Sequence, residues 1–365
     1  MYIISLIFSV ITCATAYESH DITLAVSNAT KGPAAQLGLR LNQGAEAYFS
    51  RVKKTAELAE FRIKVIKKDD SYEPFKTLSN TKAFLAENDV FAFFNYVGTP
   101  TSYAALETVK QSGLPFLTPF TGANFLRKPV TSNIFNLRAS YYQEVKQQID
   151  YLVKERGLKK IGLLIQADNF GYAVEKGYLN ILSEYKMAPT VTARYRRNTE
   201  DIDTALMLLK QHNVDAVAFV GTYRPMADVI NKAFEQNFTP FFTTVSFISS
   251  SDLFSLLAYP SNVLVTEVMP DPIICQAQYC REFRQDMRAL GITDVDRIQL
   301  EGYLNAFLFT QVAKQCLQAM TPRCFIEKIQ KFSISKWGLD IAFSDKKHQG
   351  LDNIYLNFYP NKPSS

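Results

Sequence analysis

Histidine is scarce. Three occur among the 365 residues, His20, His212 and His348, and no two are spaced as a metal-binding pair. H-E-x-x-H is missing, as are the G-x-S-x-G nucleophile elbow, the G-x-x-x-x-G-K-[ST] phosphate loop and a G-x-G-x-x-G after a strand. These absences argue against acid–base, metallohydrolytic and nucleotide chemistry, so no catalytic, metal or cofactor site is expected. A strong excess of one charge is also lacking: 40 basic residues face 35 acidic ones, for a formal net charge of +5. The densest basic spot, Arg194, Arg196 and Arg197, has no interleaved aromatic platform and no recognition-helix pattern, so nucleic acid is not an expected partner. After residue 17 no apolar run reaches the length of about 20 residues that spans a bilayer.

The N-terminus is different in kind. Tyr2 to Thr12 is almost uninterruptedly apolar, and Ala14-Thr15-Ala16 offers the small residues of a cleavage site. This pattern predicts a secretory signal over residues 1–16, although no Lys or Arg precedes the apolar run. A lipid anchor at Cys13 is the alternative. Beyond the signal four cysteines remain, Cys275, Cys280, Cys316 and Cys324. Their two close pairs fit an oxidising compartment and local disulfides, though four cysteines permit three pairings.

From Asp21 onward short apolar runs alternate with helical patterns. Strands are expected at Ile22–Val26, Phe61–Lys67, Val90–Phe94, Pro115–Leu117 and Ile134–Asn136, with helices opening near Pro33, Pro74 and Thr101. The rhythm restarts with a helix whose face carries Tyr142, Val145, Ile149 and Leu152. Strands then follow at Lys160–Ile165, Val191–Tyr195, Ala216–Val220, Pro240–Val245 and Val263–Val268. Three helices and two short strands close the chain. Strands separated by helices imply parallel sheets covered on both faces. No Pro/Gly/Ser-rich linker divides the halves, which points to two α/β lobes joined by several structured crossings.

Ligands of open α/β sheets bind beyond the carboxyl ends of the strands, so the loops there carry the functional reading. Asn95 to Ser102 follows one strand. Within it Gly98 permits close backbone approach, and Thr99, Thr101 and Ser102 bring hydroxyls to a helix N-terminus that favours a carboxylate. Thr121-Gly122 follows the next strand. Phe170 and Tyr223 follow strands of the second half, where rings are placed to cover an apolar part of a ligand.

The runs Asp70 to Pro74, NYVGTPTS at Asn95 to Ser102, PFTGA at Pro119 to Ala123 and FNLRASY at Phe135 to Tyr141 resemble type I periplasmic binding proteins. The resemblance is to the leucine/isoleucine/valine-binding group that serves ABC importers. It continues through Asp168 to Gly171, Gly221 to Tyr223, Thr266 to Pro272, Glu301 to Tyr303 and Gln349-Gly350. It implies two doubly wound parallel-sheet lobes on a three-crossing hinge. Lobe one would hold 21–138 plus 264–340, and lobe two 139–263 plus 341–361. It also implies capture of an amino acid, amide or small carboxylate by hinge closure. The ligand set so implied is Tyr96, Gly98, Thr99, Thr101, Ser102, Thr121, Gly122, Phe170, Tyr223 and Ser246. In amino-acid binders of this family an acid follows the strand matching Pro240–Val245; here Ser246-Phe247-Ile248 stands there. Delivery to an inner-membrane ABC permease by a monomeric periplasmic protein is the implied role. Presentation of the ligand to a sensory receptor is the alternative, and a secreted hydrolase the third reading.

Overall fold

A computed structural model describes residues 20–58, 61–199 and 201–360. The expected signal over 1–16 and the alternative anchor at Cys13 lie outside the described residues.

The first half forms β1 (His20–Asn28), α1 (Ala35–Thr55), β2 (Phe61–Asp69), α2 (Pro74–Glu87), β3 (Ala92–Phe94), α3 (Thr99–Ser112), β4 (Phe116–Leu117) and β5 (Ile134–Phe135). These strands make one parallel sheet in the order β2-β1-β3-β4-β5. β1 and β3 are buried on both faces, as a helix-covered parallel sheet requires. β2 lies at the edge, and its alternation of apolar and basic residues is matched by partial exposure along its length.

The second half begins with α4 (Tyr141–Asp150), started by a capping box between Ser140 and Gln143. β6 (Ile161–Gln166), α5 (Asn169–Glu184), β7 (Val191–Tyr195), α6 (Asp203–Gln211), β8 (Ala216–Val220), α7 (Tyr223–Glu235), β9 (Phe241–Thr244), α8 (Ser250–Ser255) and β10 (Val263–Glu267) follow. The chain then returns to lobe one as α9 (Gln278–Ala289), α10 (Arg297–Ala313), α11 (Pro322–Ile329) and the hairpin β11 (Ser333–Lys336) and β12 (Leu339–Ala342). β13 (Tyr355–Tyr359) adds antiparallel to β10, giving a second sheet in the order β13-β10-β9-β8-β6-β7. The short elements α6, α8 and β11 were not anticipated from periodicity. β11 is largely exposed, and α8 has six residues, too few to show a helical period.

The chain therefore crosses between lobes after β5, after β10 and after β12. Two boundaries shift from the expected 263/264 and 340/341. β10 is paired in the second sheet along its whole length, to β13 throughout and to β9 at 263–265, and β12 packs Leu339 and Ile341 into the lobe-one core. The first and third crossings run side by side: the Asn136 N–H donates to the His348 carbonyl at 2.9 Å, and the Gly350 N–H donates back to Asn136 at 2.9 Å. The buried Arg127 guanidinium staples them, donating to Gln349 Oε1 at 2.8 Å and to the carbonyls of Thr121, Ala123 and Arg138. The cysteines pair locally, Cys275 with Cys280 and Cys316 with Cys324. Among the described residues no helix is long and apolar enough to cross a membrane.

Candidate ligand site between the lobes

The carboxyl ends of both parallel sheets face each other, and one cluster of buried apolar side chains runs across the gap. It joins Leu37, Leu41, Tyr72, Val97 and Phe120 of lobe one to Tyr141, Phe170 and Phe247 of lobe two. Phe247 is its centre. The ring centroid lies 4.7 Å from Phe170, 5.6 Å from Tyr72 and 5.9 Å from Phe120.

Each lobe builds its wall from strand-end loops. In lobe one the turn after β2 is held by two aspartates. Asp69 accepts from Thr30, Lys31 and Ser71; burial opposes its charge, but these hydrogen bonds bring its pKa down to about 2. Asp70, buried and pushed up to about 6, accepts from Ser27, Thr77 and the Tyr72 N–H. Ser71 and Tyr72 both take positive φ, 50° and 62°, a conformation that non-glycine residues adopt at a cost. The result is that the Tyr72 ring lies over Gly98. A Cβ on Gly98 would stand 2.3 Å from that ring, and its φ of 103° suits glycine alone. α3 starts directly beyond with no side-chain cap. Thr99 and Thr121 share a hydrogen bond of 2.7 Å, and Thr121 donates to the Tyr141 hydroxyl at 3.3 Å. The hydroxyls of Tyr72 and Ser102 are buried without a hydrogen-bond partner among the described residues.

Lobe two supplies Phe170, Phe247 and Tyr223. Asp168 caps α5 by accepting from the N–H groups of Phe170 and Gly171, which sets the Phe170 ring against Tyr141 and Phe247. The loop after β9 is fixed by a buried carboxylate: Glu144 accepts from the Ser246 N–H at 2.6 Å and from its hydroxyl at 2.9 Å. Arg138 donates to Ser246 Oγ at 2.8 Å, lies 3.2 Å from Glu301, and places its guanidinium 4.0 Å above the Phe120 ring. Burial raises Glu301 to about 7, against the lowering pull of Arg138.

The structure thus gathers Gly98, Thr99, Thr121 and Phe170 at the lobe interface, with half-buried Tyr223 beside Phe247 at its edge. Gly122 packs against Tyr141, where a Cβ would come within 2.5 Å of the backbone nitrogen. Three expected residues are turned elsewhere. Tyr96 is in the lobe-one core, its hydroxyl 3.0 Å from Thr81. Thr101 spends its hydroxyl on the carbonyls of Val97 and Gly98. Ser246 is consumed by Glu144 and Arg138, so it anchors the loop that presents Phe247. Sequence reading missed Tyr72, Phe120 and Phe247 as wall residues. All three stand in strand-end loops, the one signal that was available for them.

The lobes touch at the rim as well. Arg40 of α1 bridges to Asp252 at 2.8 Å and to Ser249 at 3.1 Å, and Arg197 bridges to Glu73 at 2.7 Å and to the Tyr72 carbonyl. Between the lobes, beside Phe247 and Tyr223, a cavity of about 10 Å³ holds no more than a single water.

Two Rossmann-like lobes closing strand ends over a shared apolar centre define a two-lobed ligand-binding protein. Sequence and structure comparisons agree. The chain belongs to the periplasmic binding protein family, whose pattern it matches over residues 21–357. It is a binding protein, not an enzyme. It is similar to a crystal structure described as a possible leucine/isoleucine/valine-binding protein from Rhodopirellula baltica SH 1. The identity is 29%, with a TM-score of 0.88 and coverage of 94% of this chain and 95% of that one. The fold is also that of a branched-chain amino acid ABC transporter structure from Thermus thermophilus with bound valine, at 16% identity and TM-score 0.83, covering 93% of each chain. A curated relative, the Leu/Ile/Val-binding protein BraC3 of Rhizobium johnstonii, is 21% identical over 208 residues, 56% of this chain. The match spans about half of that relative's length, 55%.

Proposed function

We propose that this chain is the exported, periplasmic substrate-binding component of an ABC importer. In this reading it captures a small carboxylate with an apolar body by closing its lobes, then delivers it to a membrane permease. The observation that carries the reading is the aromatic centre of Tyr72, Phe120, Phe170 and Phe247, set beside the uncapped start of α3. A carboxylate is favoured at such a helix start by free N–H groups and the helix dipole, and the rings suit a branched or aromatic body. Thr99, Thr121 and the unpartnered hydroxyls of Tyr72 and Ser102 are the polar groups assigned to the ligand, with Tyr223 at the edge. Relatives described as binding leucine, isoleucine and valine support the same class.

One feature favours a ligand without an α-ammonium. The loop after β9 offers Phe247 where an acid would hold an amine, and Asp168 is spent on capping α5 and on Gln166. A thermal-shift series of leucine, valine, their 2-oxo acids and their amides tests both points. A ligand at about 100 times its dissociation constant adds roughly 2.7 kcal/mol. The 2-oxo acids are expected to stabilise at least as well as the amino acids, and the amides less. A hit whose affinity survives Thr121→Ala combined with Tyr223→Ala would place the site elsewhere.

A further inference from the structure

A second cavity lies on the hinge side of the lobe interface. It measures about 590 Å³, within the range of small-molecule sites. Lys128 of lobe one, Lys176 of α5 in lobe two, and Lys346 and Lys347 of the third crossing line it, with Arg127 at its buried edge. Asp352 is the single carboxylate among the lining residues, and it is already paired with Lys347 and bonded by Gln143 and Gln349. Lys128, Lys176 and Lys346 make no ion pair among the described residues. Arg127 likewise bonds amide and carbonyl oxygens, with no carboxylate among its partners. Burial, reinforced by Arg138, lowers its pKa to about 9, against the raising influence of Tyr141, Glu144 and Glu301. The lining thus sets Arg127, Lys128, Lys176, Lys346 and Lys347 against the one carboxylate of Asp352. The cavity is a half-open cleft with these lysines at its exposed rim, and like charges gathered around it attract counter-anions.

We propose that this hinge-side cavity binds a small multivalent anion, polycarboxylate or phosphorylated, held by Lys128, Lys176 and Lys346. Those lysines belong to lobe one, lobe two and the crossing between them. An anion held by all three therefore ties its affinity to the interlobe angle; a ligand whose binding changes that angle changes anion affinity, and the anion changes the ligand's affinity by the same factor. The inference does not depend on the identity of the cleft ligand.

Isothermal titration of the full chain at low ionic strength, with sodium pyrophosphate in one arm and sodium citrate in the other, tests it. One-site, saturable binding of at least one anion is expected, and acetate at matched ionic strength gives none. Preference between the two arms separates a phosphate from a carboxylate source. Lys128→Gln with Lys176→Gln should weaken binding about tenfold or more while keeping the wild-type melting midpoint in the absence of anion. Lys53→Gln with Lys54→Gln, at the far end of α1, should leave it unchanged. Absence of saturable binding in both arms overturns the proposal. So does unchanged affinity in the Lys128/Lys176 variant, or an equal loss in the Lys53/Lys54 variant.

Discussion

Phe247→Ala separates a residue that holds the lobes together from one that merely fills lobe two. The ring is 1% exposed and sits on a loop of lobe two. Of its three aromatic partners, Phe170 belongs to the same lobe, whereas Tyr72 and Phe120 belong to the other. An aromatic pair contributes about 0.5–1.5 kcal/mol beyond area burial, so the two interlobe pairs stabilise closure by about 1–3 kcal/mol. Losing them lowers the closed-to-open ratio by about 5- to 150-fold. A Phe→Ala change in an ordinary core costs about 3–5 kcal/mol of folding stability instead. Small-angle scattering reports the lobe separation, and amide exchange reports protection of the 69–72 turn and the start of α3. The expected result is a larger radius of gyration with faster exchange at those lobe-one amides. If the melting midpoint falls by a full core residue's worth while scattering and lobe-one exchange stay at wild-type values, Phe247 does not bridge the lobes and the reasoning fails.

Three further outcomes are expected. Gly98→Ala places a methyl 2.3 Å from the Tyr72 ring at a φ of 103°, so a loss of about 1–3 kcal/mol is expected from backbone strain alone. Pairing it with Tyr72→Ala should cost less than the sum of the two single changes in chemical denaturation, and strict additivity would show that the ring does not cover Gly98. Arg40→Ala removes a cation, 22% exposed, from between Asp252 and Asp296, and should weaken closure by about 1–3 kcal/mol. Scattering at two salt concentrations checks this, since the wild type should open with added salt more than the variant does. Glu267 is pushed up to about 8 by burial, against the lowering influence of Arg297. Its folded pKa thus exceeds its unfolded one, so the native state keeps a proton that the unfolded chain releases above the ordinary glutamate range. Stability from this group therefore falls as pH rises from about 4.5 towards 8. The Glu267→Gln variant should lose less stability over that window than the wild type, and parallel melting curves would refute the assignment.

Much of the architecture was legible along the chain because its determinants are local. Apolar runs of strand length alternate with helical periods, and β2 shows an edge strand's alternation of apolar and basic residues. The strand-end loops were therefore located before any contact was known, and Thr99, Thr121 and Phe170 do meet at the lobe interface. What was illegible depends on direction. Tyr96 and Thr101 lie in the same loop and first helical turn as Thr99, yet one points into the lobe core and the other back along its own helix.

The same division applies to the interlobe cleft as a whole. By itself the sequence determined two α/β halves, the loops from which a site would be built, and the absence of an acid after β9, all matters of composition and short-range period. Only the tertiary structure decided that Phe247 fills that place, that Glu144 and Arg138 consume Ser246, and that Tyr72 covers Gly98. It also chose the cysteine pairing and set two of the crossings past the ends of β10 and β12. Each of these rests on contacts between residues far apart in the chain, such as Glu144 with Ser246 or Tyr72 with Phe247, whose partners are selected by packing rather than by neighbours in sequence.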